Sequence, residues 1–518
     1  MSSRSTWTRL SSFLPAIAIA LLGVGLVLYL TRDGAGASGD SAWYIMGARN
    51  LLSGSGYSRF SGGGELRAIT SFPPAYSVAL AAVSTFGFTM VNAALMLNVA
   101  LFGANLILTA LLIYRASRSG WAAAIGTVLV LTSTQLVESH SWIMSEPLYI
   151  FLSLIVAHLI ALGVTSSNRR LLGVAGVVVA AATLTRFVGF SLLAAGALCI
   201  LLLAPRGATW RLRSTGLFAA LGIIPVLGWM ISPTISGGSI ANRQFLLHSL
   251  DPDLMRAYQA EVVSWAFGRQ LPLPWRPRVV LAGLIALVGP IYFLVSRLRR
   301  NRLSRPKGDT YGDVLLWFLG SYLVAYVGVL ILNSLFFTAG TPPADSARYL
   351  APAYVALVIL STVTITELVG QMQETKLPAV IGLSLGLLLL SLNLDQSLQL
   401  LGEPGLSLGY VGIKRINPEL AEALGDIDLE VLIISNNPEA VYIITDRPAY
   451  LLPTRIDPHT DSARPDYDES IDAHRRRLES GAVLVIFGSP DEMALEAMND
   501  LNVTPLRGFN SAAFYIAG

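Results

Sequence analysis

Charge and cysteine are what this chain has least of. Only 13% of its 518 residues are Asp, Glu, Lys or Arg, against about 25% in a soluble globular protein, so much of its surface is built for lipid. The one cysteine, Cys199, lies in an apolar run, which excludes a disulfide framework and a cysteine metal site; it reads as a buried bystander thiol. Lysine occurs only at 307, 376 and 414, so nearly all positive charge is arginine, a bias that carries no function by itself. The net charge of +3 is too small to argue for a nucleic-acid partner.

What is present is apolar length. The chain is 53% hydrophobic, with mean hydropathy +0.59. Windows of about 20 apolar residues, enough to cross a bilayer, give about eleven spans, near 14–30, 88–113, 121–137, 147–164, 171–185, 187–204, 214–232, 279–296, 313–333, 350–367 and 377–394. "AGA" at 35–37 resembles a signal-peptidase site behind the first run, but that run is long for a signal segment and reads as an uncleaved span. Arg115 and Arg118, Arg169 and Arg170, Arg206, Arg211 and Arg213, "RLRRNRLSRPK" at 297–307 and Lys376 all fall on one side of this alternation. By the positive-inside rule that side is cytoplasmic, so the N-terminus is inside and the C-terminus outside.

The outer side then receives residues 31–87, 233–277, 334–349 and a tail from about 396. Within the first of these, "SGGGEL" at 61–66 reads as a flexible hairpin or loop. In the tail, "LEVLIIS" (429–435), "AVYIIT" (440–445) and "AVLVIFG" (482–488) read as strands; 468–480 and 490–501 read as helices with acidic first turns. The expected architecture is therefore a polytopic α-helical membrane protein over 1–395, with a small extracytoplasmic α/β domain over 396–518. That tail carries no GxGxxG, P-loop or HExxH motif, and "NVT" at 502–504 is too short a match to decide anything.

Polar groups gather at the outer mouths. In a helix starting near Asp40, residues 40, 44 and 47 share a face, so Asp40, Tyr44 and Gly47 would line a groove; the plain alternative is that Asp40 caps the helix. Pro73-Pro74 leads into "AYSVALAAVSTFG", which is short for a span and suits a re-entrant or interfacial helix. Glu146 opens the fourth span, six residues after His140, where Ser145 already supplies a cap. Ionisable residues at a membrane span are costly and point to function. Arg186 in "LTRFVGF" and Arg348 in "ADSARYLAP" lie outside, against the charge pattern. Arginine forks suit phosphate oxygens, although interfacial arginines also snorkel to headgroups.

The ordered stretches "GDSAWYIMGARNLLSGSGY", "TSFPPAYSVAL", "MSEPLYIFL", "LTRFVGF" and "ARYLAPAY" resemble the GT-C glycosyltransferases over roughly residues 10–400, most of all the bacterial protein mannosyltransferase-like branch, which is similar to the lipid A aminoarabinose transferases. The resemblance implies a sugar donor on a polyprenyl phosphate, an acceptor that is a protein, lipid or glycan, and transfer at the outer face of the cell membrane. Asp40 matches the family's acid of the first outer loop, a general base or acceptor-orienting group. Many members have two adjacent acids there, whereas this chain has Asp40-Ser41. Glu146 matches the acid of the second outer loop, where it orients the acceptor or binds a divalent cation; no metal is otherwise implied. Arg348, with Tyr349 and Arg186, is expected at the donor phosphate. Tyr44, Tyr57, Pro74, Tyr76 and His140 are expected to line the substrate groove. The rival reading is a transporter or flippase, which would carry charges at mid-bilayer and inverted repeats; neither is seen in the sequence.

Overall fold

Lipid offers no partners for backbone N–H and C=O groups, so a chain this apolar satisfies them within helices. The computed structural model describes residues 3–61, 64–235, 247, 249–267, 310–336, 345–371, 409–457 and 462–518. In chain order the elements are α1 (Ser3–Leu30), α2 (Gly39–Leu52), β1 (Ser58–Ser61), β2 (Glu65–Ala68), α3 (Ala75–Ser84), α4 (Met90–Ser117), α5 (Gly120–Leu131), α6 (Thr134–Ser141), α7 (Glu146–Thr165), α8 (Arg169–Thr183), α9 (Phe190–Leu203), α10 (Ala208–Ile235), α11 (Pro252–Phe267), α12 (Thr310–Phe336) and α13 (Ser346–Gln371).

Among the described residues, α4, α7, α10, α12 and α13 are long and apolar enough to cross a membrane. A sixth span is added if α5 and α6, bent by 61°, count as one broken crossing. The expected span near 14–30 falls within α1, the one near 187–204 appears as a shorter apolar helix, and α8 has 15 residues. Those near 279–296 and 377–394, with Lys307 and Lys376, lie outside the described residues. α3 has ten residues, about 15 Å of helix against a hydrocarbon core of about 30 Å, so it does not span. β1 and β2, which flank the glycine-rich stretch, pair antiparallel.

The segment between α1 and α2 is tied to two distant parts of the chain. Gly36 pairs in parallel with Trp142 and Ala37 with Gly409. The Gly36 N–H donates to Ser141 O at 2.8 Å, the Ile143 N–H donates to Gly36 O at 2.8 Å, and the Tyr410 N–H donates to Ala37 O at 2.9 Å. This ribbon fixes the entry to α2, the entry to α7 and the start of the tail relative to one another. The first loop, the α6–α7 turn and residue 409 therefore lie on one face of the bundle.

The C-terminal segment holds α14 (Gly409–Ile416), α15 (Pro418–Gly425), β3 (Ile433–Ser435), α16 (Pro438–Thr445), β4 (Tyr450–Leu451), β5 (Ile456–Asp457), β6 (Ser462–Ala463), α17 (Tyr467–Glu479), β7 (Val483–Phe487), α18 (Glu492–Leu501), β8 (Val503–Gly508) and β9 (Ala512–Ala517). Five strands form one sheet in the order β4-β3-β7-β9-β8, with β3 parallel to β4 and β7, and β9 antiparallel to β7 and β8. Successive strand side chains point to opposite faces. Ile434, Leu484 and Ile486 accordingly pack with Ile471, Leu478 and Met498, while Ile433 and Val485 pack with Leu420, Leu424, Val441 and Ile444.

One expected strand is a helix. Residues 440–445 belong to α16, because Asn437 caps it by accepting from the Ala440 N–H, Pro438 occupies its first turn and Glu439 suits its N-terminal dipole. These start signals outweigh the β-propensity of "VYII".

Gly409 has φ +54°, and a Cβ there would run into Ala37 O and within 2.9 Å of the Trp142 ring. We expect Gly409→Ala to destabilise the protein by at least ~1–2 kcal/mol, the left-handed penalty alone, whereas Gly425→Ala, with no atom within 4 Å of its added methyl, is tolerated. Thermal unfolding of the two variants in detergent checks this; equal transitions would contradict it.

Candidate active site

Four charged side chains reach one point from four separate elements. Asp40 is the second residue of α2 and does not cap it; Ser38 holds the N-cap position, where its N–H donates to Ser41 Oγ at 3.0 Å. Glu146 is the first residue of α7, where the helix dipole favours an anion. Arg186 sits in extended backbone at the break between α8 and the 3₁₀ turn Phe187–Gly189. That break is tight: a Cβ on Gly189 would approach the Thr183 backbone to 2.6 Å. Arg348 lies in the first turn of α13, a position the dipole disfavours for a cation.

The carboxylates hold these arginines. Glu146 is fully buried, and its Oε1 lies 2.7 Å from Arg186 Nη1 and 2.9 Å from Arg348 Nε. Neither contact has the alignment of a hydrogen bond, so both are ionic, and Oε2 has no hydrogen-bond partner among the described residues. Arg348 Nη2 donates to Asp40 Oδ2 at 2.7 Å. Its third nitrogen, Nη1, donates among the described residues to the Met144 thioether alone, at 3.2 Å, a weak acceptor. Arg186 Nη1 also donates to Ser145 Oγ at 3.1 Å, and the Tyr44 hydroxyl donates to the same oxygen at 3.0 Å. Burial first, and then the Asp40 carboxylate, pushes the Tyr44 phenol well above its ordinary pKa, so it remains a neutral donor. Both guanidinium groups lie over the Tyr349 ring, at 5.0 Å for Arg186 and 5.1 Å for Arg348, within cation–π range. Tyr349 is anchored by its carbonyl, which accepts from the Tyr326 hydroxyl at 2.6 Å.

The structure thus brings Asp40, Tyr44, Glu146, Arg186, Arg348 and Tyr349 together. The other candidates stand further back. Tyr76 is buried edge-on against Tyr44, with ring centroids 4.9 Å apart, and its hydroxyl donates to Asn98 Oδ1 at 3.3 Å. The Tyr57 hydroxyl donates to the Phe72 and Pro73 carbonyls at 3.1 and 3.3 Å, and its ring packs over Gly47. Gly47 therefore lies under an aromatic ring and lines no open groove. Pro74 holds the N-cap position of α3. His140 is buried; Nδ1 lies 2.6 Å from Leu136 O and Nε2 3.1 Å from Asn105 Nδ2, so both ring nitrogens are engaged in the core.

Ser145 departs from expectation most clearly. It makes no side-chain cap bond to α7; its hydroxyl instead joins Tyr44 to Arg186. Asp345, Met144 and Tyr326 had no signal strong enough to be singled out, although Asp345 stands three residues before Arg348, the spacing of a helical ion pair.

No family model and no curated protein matches the chain. Solved structures do. ArnT from Cupriavidus metallidurans bound to undecaprenyl phosphate is similar over 100% of both chains, with TM-score 0.59 and 13% identity. The same protein in the apo state gives TM-score 0.53 and 14% identity, again over 100% of both chains. The chain shares the fold of these two structures. On that shared frame the ion-pair cluster lies where α2, α7, the α8–α9 break and α13 meet.

Among the described residues, no group of three or more His, Cys, Asp or Glu comes together as a metal site. The two acids of the centre are bridged by a guanidinium, so Arg348 occupies the place between Asp40 and Glu146 that a shared cation would take.

Removing one partner of a buried ion pair costs about 3–5 kcal/mol. We expect Glu146→Gln to lose stability of that order, since it leaves two buried guanidinium groups facing each other, and adding Arg186→Met to recover part of the loss. Thermal inactivation of the single and double variants in detergent measures both effects; an additive loss would contradict the pairing.

Proposed function

We propose that this chain is a membrane glycosyltransferase that moves a sugar from a polyprenyl-phosphate-linked donor to an acceptor at the extracytoplasmic face of the cell membrane. The reading is carried by the Asp40–Arg348–Glu146–Arg186 cluster at one end of a GT-C bundle, and it is supported by the likeness to a protein solved with undecaprenyl phosphate. A sugar moved from a lipid phosphate needs cations at the leaving oxygen and a base at the attacking hydroxyl. Both kinds of group stand here within one ion-paired network, and its charges gather at the helix ends, away from mid-span.

In this mechanism the acceptor oxygen attacks the anomeric carbon while the bond from that carbon to the phosphate oxygen breaks, its electron pair leaving on the phosphate. One displacement inverts the anomeric centre. Asp40, 30% exposed, receives the acceptor proton. Arg348 Nη1 exchanges its weak sulfur contact for a phosphate oxygen, and Arg186 adds charge beside it. Glu146, with no exposed surface, holds both arginines in place. Tyr44 and Tyr76 shape the wall behind Asp40. The tail, docked through Tyr410 and through Arg49, which donates to the Tyr442 hydroxyl at 2.9 Å and to Asp446 at 2.8 Å, forms an extracytoplasmic α/β domain over the site. About eleven spans carry this assembly, with the N-terminus cytoplasmic.

Loss of the gene should remove a sugar from an envelope glycan and leave its lipid-linked form accumulating, as read by mass spectrometry; an unchanged profile counts against transfer. In cells carrying variants, Asp40→Asn should insert and fold normally yet lower transfer by roughly 10²-fold or more. Arg348→Ala should weaken binding of undecaprenyl phosphate more than Arg348→Lys does, because lysine keeps the charge and loses the fork. For orientation, a cysteine placed in the tail on a Cys199→Ser background should label from outside intact spheroplasts; protection there would overturn the assigned sidedness.

A further inference from the structure

Glu146 can hold two arginines only where its own backbone is held, and α4 supplies part of that hold. Asn98 and Asn105 are fully buried on this helix, seven residues apart, which places them on one face and about 10 Å from each other along it. Asn98 Nδ2 donates to Trp142 O at 2.5 Å, while its Oδ1 accepts from the Tyr76 hydroxyl. Asn105 Nδ2 donates to Pro147 O at 3.2 Å and lies 3.1 Å from His140 Nε2. The amide nitrogen is a donor only, and the Leu136 carbonyl beside His140 Nδ1 is an acceptor only, so the ring is neutral with its proton on Nδ1. The segment 142–147 gripped in this way contains Met144, Ser145 and Glu146, which meet Arg348, Arg186 and Tyr44.

We propose that Asn98 and Asn105 are positioning residues of the centre, which set where the α6–α7 turn presents Glu146 to Arg186 and Arg348. This rests on the transferase reading. Residues 142–145 lie between α6 and α7, where no helix ladder fixes them. Ser141 O and Ile143 O accept from the Gly36 N–H and the Ser41 hydroxyl of the first outer loop. Trp142 O and Pro147 O accept instead from α4, so the turn is held from two sides. Among the described residues neither asparagine hydrogen-bonds to Asp40, Glu146, Arg186 or Arg348, so each acts through the backbone of the turn. Asn105 Oδ1 is buried and has no hydrogen-bond partner among the described residues. An unpaired buried acceptor is destabilising, so what this amide contributes is the direction of its two N–H donors. Glu146 Oε1 lies within 3 Å of both arginines, and a small displacement of the turn opens the contacts that aim the two forks at one phosphate.

Binding of undecaprenyl phosphate is titrated on the purified full chain, giving a Kd and a number of sites for each variant well below its unfolding temperature. Asn105→Leu and Asn98→Leu remove the donors at nearly constant volume. Each should raise Kd about tenfold or more, the loss expected when hydrogen bonds to a charged phosphate are weakened. Asn105→Gln keeps two N–H donors and should recover part of the affinity. Thr109→Val lies one turn further along the same face, at a buried hydroxyl with no partner among the described residues, and should bind as wild type. A merely structural asparagine would lower the number of sites and leave Kd unchanged. That result, wild-type binding in both leucine variants, or an equal rise in Thr109→Val would overturn the proposal. So would failure of both leucine variants to fold. If the wild-type chain does not bind the lipid at all, the transferase reading fails and this proposal with it, an outcome distinct from the others.

Discussion

A carboxylate with no exposed surface is costly to keep charged unless opposite charge surrounds it, and Glu146 keeps two guanidinium groups within 3 Å of a single oxygen. The remainder of the centre depends on this contact. Arg348 sits in the first turn of α13, where the dipole repels it, and Arg186 sits at a break between two apolar helices. Glu146, placed at the favourable end of α7, compensates both. The Tyr349 ring adds a second surface for the two cations, so each guanidinium is fixed by an anion on one side and a π-face on another.

Alignment of these groups comes from backbone pairing as well as side chains. Gly36, Ala37, Trp142 and Gly409 form a short parallel ribbon, three residues from Asp40 and four from Glu146. Because backbone hydrogen bonds set register, the two acids cannot drift relative to one another without breaking it. The ribbon also brings the tail to the same place: Trp43 Nε1 donates to Glu439 Oε1 at 3.2 Å, and the Arg59 guanidinium lies over the Trp43 ring, 3.8 Å from its centroid. The tail's contact with α2 is thus part of what holds the site.

Asp40 and Glu146 balance the two arginines, yet among the described residues one nitrogen, Arg348 Nη1, is committed only to sulfur. Exchanging a thioether for a phosphate oxygen replaces a weak acceptor by a strong one and leaves the Asp40 and Glu146 contacts intact. A proposed donor phosphate can therefore bind without dismantling the cluster that receives it, which fits a centre built before its substrate arrives.

Much of this could be read from the residues. Apolar length gave helices, since lipid leaves the backbone no other partners, and arginine placement gave an expected alternation of sides. Asp40, Glu146, Arg186 and Arg348 stood out because charge is rare here and each interrupts an apolar pattern. Other features were settled only in three dimensions. Residues 440–445 became a helix through the cap and proline ahead of them, against their β-propensity. Ser145 turned from a presumed cap into a link between Tyr44 and Arg186, because the nearest donors to its hydroxyl come from other elements. Tyr57 and His140, polar and well placed along the chain, spend their polar atoms on neighbouring carbonyls and an amide. Asp345, Met144 and Tyr326 gained meaning only once α13 packed against α7 and α12. Periodicity and charge report what each segment needs individually, whereas which polar groups meet depends on helix packing and on backbone pairing between residues hundreds of positions apart.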